Sequence, residues 1–184
     1  MKLEPRQTCR ICNSNQLSTI MSLGEQHLAV YTPKGSDPEP VLEKFSLELI
    51  RCNALDCGLV QLRHSTPTDI LYERYFYRSG INQTMIDNLK EIVEQAILKA
   101  DVVENDIVLD IGCNDGTLLK NYQGKKLRTV GIDPAKNMLE FSKESGAYII
   151  VDYFNSESFI EHYGDDKAKI ITSISVLYDL EDPN

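Results

Sequence analysis

Apolar and polar positions change rhythm twice along this chain. Up to about residue 64 the rhythm is short and alternating. In Phe45-Ser46-Leu47-Glu48-Leu49, residues Phe45, Leu47 and Leu49 share one face of an extended chain, which predicts a strand. Leu59-Val60-Gln61-Leu62 predicts a second strand, and residues 51–58 a turn between the two. Residues 32–40, with three prolines, predict a loop. Between about 65 and 100 the period becomes helical. Ile81, Met85, Ile86, Leu89, Ile92, Val93, Ala96, Ile97 and Ala100 form one stripe, opposed by Asp87, Lys90, Glu91 and Glu94, as in a packing helix. From 106 onward strands and helices alternate. Ile107-Val108-Leu109-Asp110-Ile111 is almost continuously apolar, as a strand buried on both faces requires. Further strands are predicted at 128–133, 147–151 and 169–175. Helices are predicted at 117–122, at 135–145 with Gly146 as a stop, and at 156–163. This order predicts an α/β fold with an open parallel sheet behind a small β-rich module.

Composition narrows the class. A chain of 184 residues, 42% apolar and 26% charged, fits one ordinary domain or a small one plus part of a larger one, and is neither collagen-like nor disordered. No apolar run approaches the ~18–20 residues a bilayer needs, so no membrane partner is expected. Met1-Lys2-Leu3-Glu4-Pro5 lacks a signal-peptide core, which makes the cytoplasm the expected compartment. Residues 1–80 carry nine basic and nine acidic side chains, whereas 81–184 carry ten and nineteen, so the net charge of −9 lies in the second part. That half would repel a phosphate backbone, and no nucleic-acid partner is expected.

Four of the five cysteines fall in the first segment, as the pairs Cys9/Cys12 and Cys52/Cys57. Two close pairs about forty residues apart can supply the four soft ligands of a tetrahedral zinc ion. A redox pair usually opens a helix after a strand, and no strand precedes Cys9; four unrelated thiols are the other alternative. His27 and His64 are substitute ligands. A closed four-thiolate site has no open position, so this zinc is expected to be structural.

The second candidate is Asp110-Ile111-Gly112-Cys113-Asn114-Asp115-Gly116-Thr117, which follows the first buried strand and precedes a helix. Glycines there allow a tight turn and close approach to a ligand. Asn114 occupies the middle glycine position of the dinucleotide fingerprint, and no Walker lysine follows. Asp133, ending the next strand, can accept both ribose hydroxyls of an adenosine. Asp110 and Asp115 suit an ammonium group better than a pyrophosphate. Asp152, Tyr153 and Phe154, after the third strand, offer a polar group and an aromatic face to a base. Together these point to S-adenosyl-L-methionine rather than NAD, against the bland alternative of ordinary tight turns. Cys113 reads as a small buried filler and not a nucleophile.

At this point the chain resembles a family. Cys9-Arg10-Ile11-Cys12, Leu23-Gly24, Cys57-Gly58-Leu59-Val60-Gln61-Leu62, Tyr75-Phe76-Tyr77-Arg78-Ser79-Gly80, residues 110–119 and residues 174–183 are similar, in order, to the S-adenosylmethionine-dependent C-methyltransferases that act on nucleotide-linked 4-keto deoxysugars. The spacing of Cys52 and Cys57 is wider than that family's usual two residues. The resemblance implies a zinc-binding module at 1–64, a connecting helical segment at 65–104 and a partial Rossmann-like class I methyltransferase domain at 105–184. Against the seven strands of that family's sheet the chain is expected to carry four, so strands five to seven, the substrate region and the family's carbon-deprotonating histidine are missing from residues 1–184. Tyr75, Tyr77 and Ser79 are then expected to face the cofactor or a small-molecule sugar nucleotide, with core packing as the alternative for the aromatic cluster. The rival readings are a zinc-containing binding or scaffold module, with a possible homodimer through an exposed strand edge, and a nucleic-acid methyltransferase, which the charge distribution opposes.

Overall fold

The computed structural model describes residues 3–27 and 44–180; the predicted loop at 32–40 lies outside the described residues. The chain divides into two compact units, residues 1–71 with 178–184, and Tyr72–Leu177.

The first unit holds a three-stranded antiparallel sheet in the order β1 (Leu17–His27), β2 (Lys44–Cys52), β3 (Val60–Leu62). Leu17 pairs with Cys52, His27 with Lys44, and Leu49 with Leu62. The predicted turn begins later than expected, because Arg51 and Cys52 still belong to β2. The buried positions of β2 are Phe45, Ile50 and Cys52. Ile50 and Cys52 lie on the opposite parity from Phe45, so the innermost face is the one that carries the cysteine.

The second unit is a four-stranded parallel sheet in the order β6-β5-β4-β7, formed by β4 (Ile107–Ile111), β5 (Arg128–Ile132), β6 (Tyr148–Ile150) and β7 (Ala168–Ser173). All five residues of β4 are buried, as its apolar run requires. Val108 packs on one side with Leu118, Leu119, Tyr122, Ile170 and helix residues Leu89 and Val93. Ile107, Leu109 and Ile111 pack on the other with Val130, Ile132 and Ile150.

Short helix α1 (Thr68–Tyr72) precedes the long helix α2 (Gln83–Ala100). The Asn82 side chain caps α2 by accepting from the Thr84 N–H, and Asp101, at φ 49°, closes it in the left-handed region. The predicted stripe holds from Met85 onward. Ile81 falls outside it, 73% exposed in a 3-10 turn at Ser79–Ile81. Helices α3 (Thr117–Lys120), α4 (Leu139–Ser142) and α5 (Ser156–Tyr163) follow, with 3-10 turns on either side of α4 where one continuous helix was expected. No helix among the described residues is long and apolar enough to cross a membrane.

This strand order has a consequence for ligands. The chain runs outward from β4 to β5 and β6, then crosses back to place β7 on β4's other edge. In open α/β sheets ligands bind at the carboxyl ends of the strands where the order reverses, and here the turn after β4 meets the segment after β7 at that end, with Val176 against Gly112.

Candidate functional site

Two sites can be built from the residues upward. In the first unit, the Sγ atoms of Cys9, Cys12, Cys52 and Cys57 all lie within 4.8 Å of one another, and none is in a disulfide. Cys9 and Cys57 are 3.7 Å apart, Cys12 and Cys52 3.6 Å. Four sulfurs at ~2.3 Å from a tetrahedral zinc would sit about 3.8 Å apart, so the thiols already have the spacing of a zinc shell.

Local backbone explains the arrangement. The Asn13 N–H bonds the Cys9 carbonyl at 2.9 Å, and the Cys57 N–H bonds the Ala54 carbonyl at 3.2 Å, closing two tight turns. Each turn leaves through a left-handed residue, Asn13 at φ 57° and Gly58 at φ 67°. Burial opposes ionisation of the Cys9 thiol, but N–H groups of Cys12 and Ile11, with help from Gln61 and Cys57, outweigh it and lower Cys9 to about 6. At Cys57 the Leu59 N–H favours the thiolate, yet burial and the neighbouring sulfurs push it up to about 12. Cys9 therefore ionises readily beside Cys57, which resists, and a divalent cation among the sulfurs would favour their thiolate form. Gln61, buried on β3, accepts from the Arg10 N–H at 3.1 Å, which fixes its amide beside Cys9. Sequence reasoning missed Gln61. His27 lies at the far end of β1, paired with Lys44, and His64 bridges Pro5; neither is in the thiol cluster.

In the second unit the glycine turn leaves β4 at the strand ends. The N–H groups of Gly112 and Cys113 both bond the Ile132 carbonyl, at 2.7 and 3.3 Å, which bends the chain toward β5. Gly112 is at φ 71°, and a Cβ there would run into the Val176 side chain. Asn114, at φ 52°, gives its N–H to Asp133 Oδ2 at 2.7 Å. Asp133 Oδ1 accepts from the Ala135 N–H at 2.9 Å. Each Asp133 oxygen thus has one protein donor and a lone pair to spare. Burial raises this carboxyl, and the two N–H bonds oppose the rise.

Asp110 is 4% exposed and accepts the Thr172 hydroxyl at 2.6 Å. Burial pushes it up to about 7 against the Thr172 bond, with the Asp133 charge adding to the rise. Asp115, 2% exposed, is held from three sides. Gly80 N–H donates to Oδ2 at 2.8 Å, and Thr117 Oγ1 and N–H donate to Oδ1 at 2.6 and 3.2 Å. Arg78 stands 3.7 Å from the same carboxylate. Gly116, at φ 73°, lies against the Ser142 backbone, 3.0 Å from where a Cβ would be.

The Asn114 side chain reaches a segment distant in sequence. Its Nδ2 donates to the Tyr77 carbonyl at 2.9 Å and its Oδ1 accepts the Ser79 N–H at 3.0 Å. Asn114 thus links Asp133, Tyr77 and Ser79 in one network, with Asp115 bonded to the adjacent Gly80, whereas Asp110, Gly112 and Gly116 bond elsewhere, to Thr172, Ile132 and Cys113. Asp152, Tyr153 and Phe154 are less tied to it. Asp152 bonds locally to the Tyr153 N–H and Ser158 Oγ, and Phe154 packs against the core of Ile107, Val130 and Ile150. The Tyr75 ring lies 5.4 Å from that of Phe76, tilted by 41°. Cys113 is 4% exposed and fills the space left by Gly131, where a Cβ would lie 2.6 Å from its sulfur.

Residues 9–72 match a family described as a putative zinc binding domain, and residues 77–184 a family described as a methyltransferase domain. The C-methyltransferase NovU of Streptomyces niveus is 26% identical over 155 residues, covering 84% of this chain and 36% of that protein. The chain therefore spans about a third of the length of this curated relative. Among solved structures, the plantazolicin methyltransferase BpumL in complex with SAH aligns with a TM-score of 0.40 and 19% identity, over 52% of this chain and 37% of that one. A probable oxidoreductase from Mycobacterium abscessus reaches 0.43 at 14% identity, over 80% of this chain and 49% of that one.

Proposed function

The chain belongs to the methyltransferase-domain family, and on that premise we propose that it binds S-adenosyl-L-methionine at the carboxyl ends of β4 and β5 for C-methylation of a nucleotide-linked 4-keto deoxysugar. The observation that carries the cofactor assignment is Asp133. It is a half-buried carboxylate at a strand end, each oxygen held by one backbone N–H and still able to accept a ribose hydroxyl. Gly112 and Asn114 supply the close-approaching backbone beside it, and Tyr77 and Ser79 lie alongside, bonded to Asn114. Asp115 and Gly116 act by fixing the bend, since the Asp115 oxygens are already engaged. Asp110 brings a carboxyl beneath the loop, and Asp152 and Tyr153 stand at the end of β6 for the base.

When bound, S-adenosylmethionine supplies an electrophilic methyl group. Positioning and exclusion of water are what the residues of this chain provide. Carbon methylation requires a proton to be removed beside a ketone, and none of these side chains is assigned as that base. Support for carbon as the acceptor comes from the relative named C-methyltransferase, and support for the sugar from the motifs at 57–62, 75–80 and 112–119. The four-thiol cluster is assigned to structural zinc, as its closed shell leaves no place for a substrate.

Titration with S-adenosylhomocysteine, followed by calorimetry, tests the cofactor assignment. Saturable heat is expected, with binding at least tenfold weaker in Asp133→Ala. Asp133→Asn retains one acceptor and is expected to fall between the two. No heat at millimolar ligand, or equal binding by folded Asp133→Ala, would overturn it.

A further inference from the structure

Residues 75–80 run past the strand ends as a strap, tied by backbone groups of alternate residues. Tyr75 offers its N–H and its carbonyl, Tyr77 its carbonyl and Ser79 its N–H. In an extended chain those groups project from one edge. Two asparagine side chains read that edge. Asn114, on the loop after β4, takes Tyr77 and Ser79. Asn137, on the loop after β5, takes Tyr75 in both directions: its Oδ1 accepts the Tyr75 N–H at 3.0 Å, and its Nδ2 donates to the Tyr75 carbonyl at 2.8 Å. A carboxamide bonded both ways to one residue copies the pairing of a neighbouring strand. A slip of one residue would turn every one of these groups away, so the two asparagines fix the strap's register as well as its position.

We propose that Asn137 is a positioning residue that latches this strap, so that Tyr77 and Ser79 are presented to the nucleoside; the role rests on the cofactor reading above. Asn137 lies four residues after Asp133 in the same loop, and the Asp133 carboxylate holds the Asn114 N–H. The group assigned to the ribose therefore bonds one tooth of the latch directly and shares a chain segment with the other. Lys136 adds an ion pair to Glu73 at 2.5 Å, and Arg78 stacks over the Phe141 ring at 3.5 Å. Asn137 itself is exposed, so its removal leaves no cavity in the core.

Amide hydrogen exchange on the ligand-free chain, comparing wild type with Asn137→Ala and Asn137→Asp, tests the latch. In Asn137→Ala the Tyr75 amide is expected to exchange at least tenfold faster, with Ser79 and Gly80 following and the β4 and β5 amides unchanged. Asn137→Asp keeps the acceptor and loses the donor, and its acceleration is expected to be smaller. S-adenosylhomocysteine should bind about tenfold more weakly to Asn137→Ala than to wild type. Acceleration confined to Tyr75 overturns the latch, and so does equal acceleration of the β4 and β5 amides. Equal affinity of wild type and Asn137→Ala overturns the positioning role. Absence of wild-type binding overturns that role together with the cofactor reading, and the exchange pattern, measured without ligand, shows whether the strap is latched regardless.

Discussion

Strands β1 and β4 are built on opposite principles. β1 runs for eleven residues and buries none of them, while β4 runs for five and buries all five. The difference extends to the units they belong to. Around β4, two apolar clusters lie on the two faces of a parallel sheet, and side-chain packing defines the structure. Around β1 the fully buried side chains among the described residues are Cys9, Ile50 and Cys52, so two of these three are prospective metal ligands. A small sheet with few buried apolar side chains among its described residues gains much from a metal cross-link at the thiol cluster. The first unit is stapled and the second is packed.

The largest effect should come from pulling the staple. Structural zinc contributes an apparent ~10–16 kcal/mol in small metal-dependent domains. Chelation, or Cys52→Ser, is expected to collapse the NMR dispersion and amide protection of β1, β2 and β3, while β4 and β5 keep theirs. Elemental analysis should find one zinc per chain. An unchanged β1–β3 spectrum after exhaustive chelation would erase the contrast between the units.

Next comes the polar group set into the packed unit. Asp110, raised to about 7 by burial, keeps a proton that the unfolded chain gives up near ~4. The folded state therefore binds more protons between these values, and its stability falls as pH rises from about 4 to 7 and then levels off. Asp110→Asn should remove that slope, with a gain relative to wild type at pH 8 over pH 4 of at most about 4 kcal/mol. Urea titrations at the two pH values measure it. Parallel pH profiles for the two proteins would contradict the assignment.

The smallest effect probes fit. A methyl group at position 131 would lie 2.6 Å from Cys113 Sγ and 2.9 Å from Leu119 Cδ1. Gly131→Ala is expected to cost about 1–3 kcal/mol, and Cys113→Ala in the same chain to recover part of it. Additive losses in that double-mutant cycle would mean that the two residues do not compete for the same space.

The same contrast governs what could be read from the sequence. Ile107–Ile111 and the stripe from Met85 to Ala100 announce themselves because burial imposes a pattern, and α5 matches its predicted span of 156–163. β1 was missed because none of its residues is buried among the described residues: its register shifts twice, Gly24 interrupts it, and no alternation survives. The cysteines were legible because metal ligation demands particular atoms at short spacing, and the glycine turn because Gly112 and Gly116 take the left-handed backbone that favours glycine. Thr172, Gln61 and Asn137 were not. Their partners are a carboxylate, a backbone N–H and both backbone groups of Tyr75, each about fifty to sixty residues away, and such pairings leave no period in the chain. Asp115 stands out in the sequence as a partner for an ammonium group, and the bonds it makes to Gly80 and Thr117, with Arg78 nearby, leave no trace in the sequence.

The central claim is that the bend after β4, with Asp133 beside it, holds a methionine-derived nucleoside. A crystal structure grown with S-adenosylhomocysteine tests it most directly. The expected result is the ribose on Asp133, with the backbone of Gly112 and Asn114 against the ligand and the 75–80 strap alongside. A well-ordered bend at residues 110–116 with the nucleoside absent, or lodged elsewhere, would contradict it.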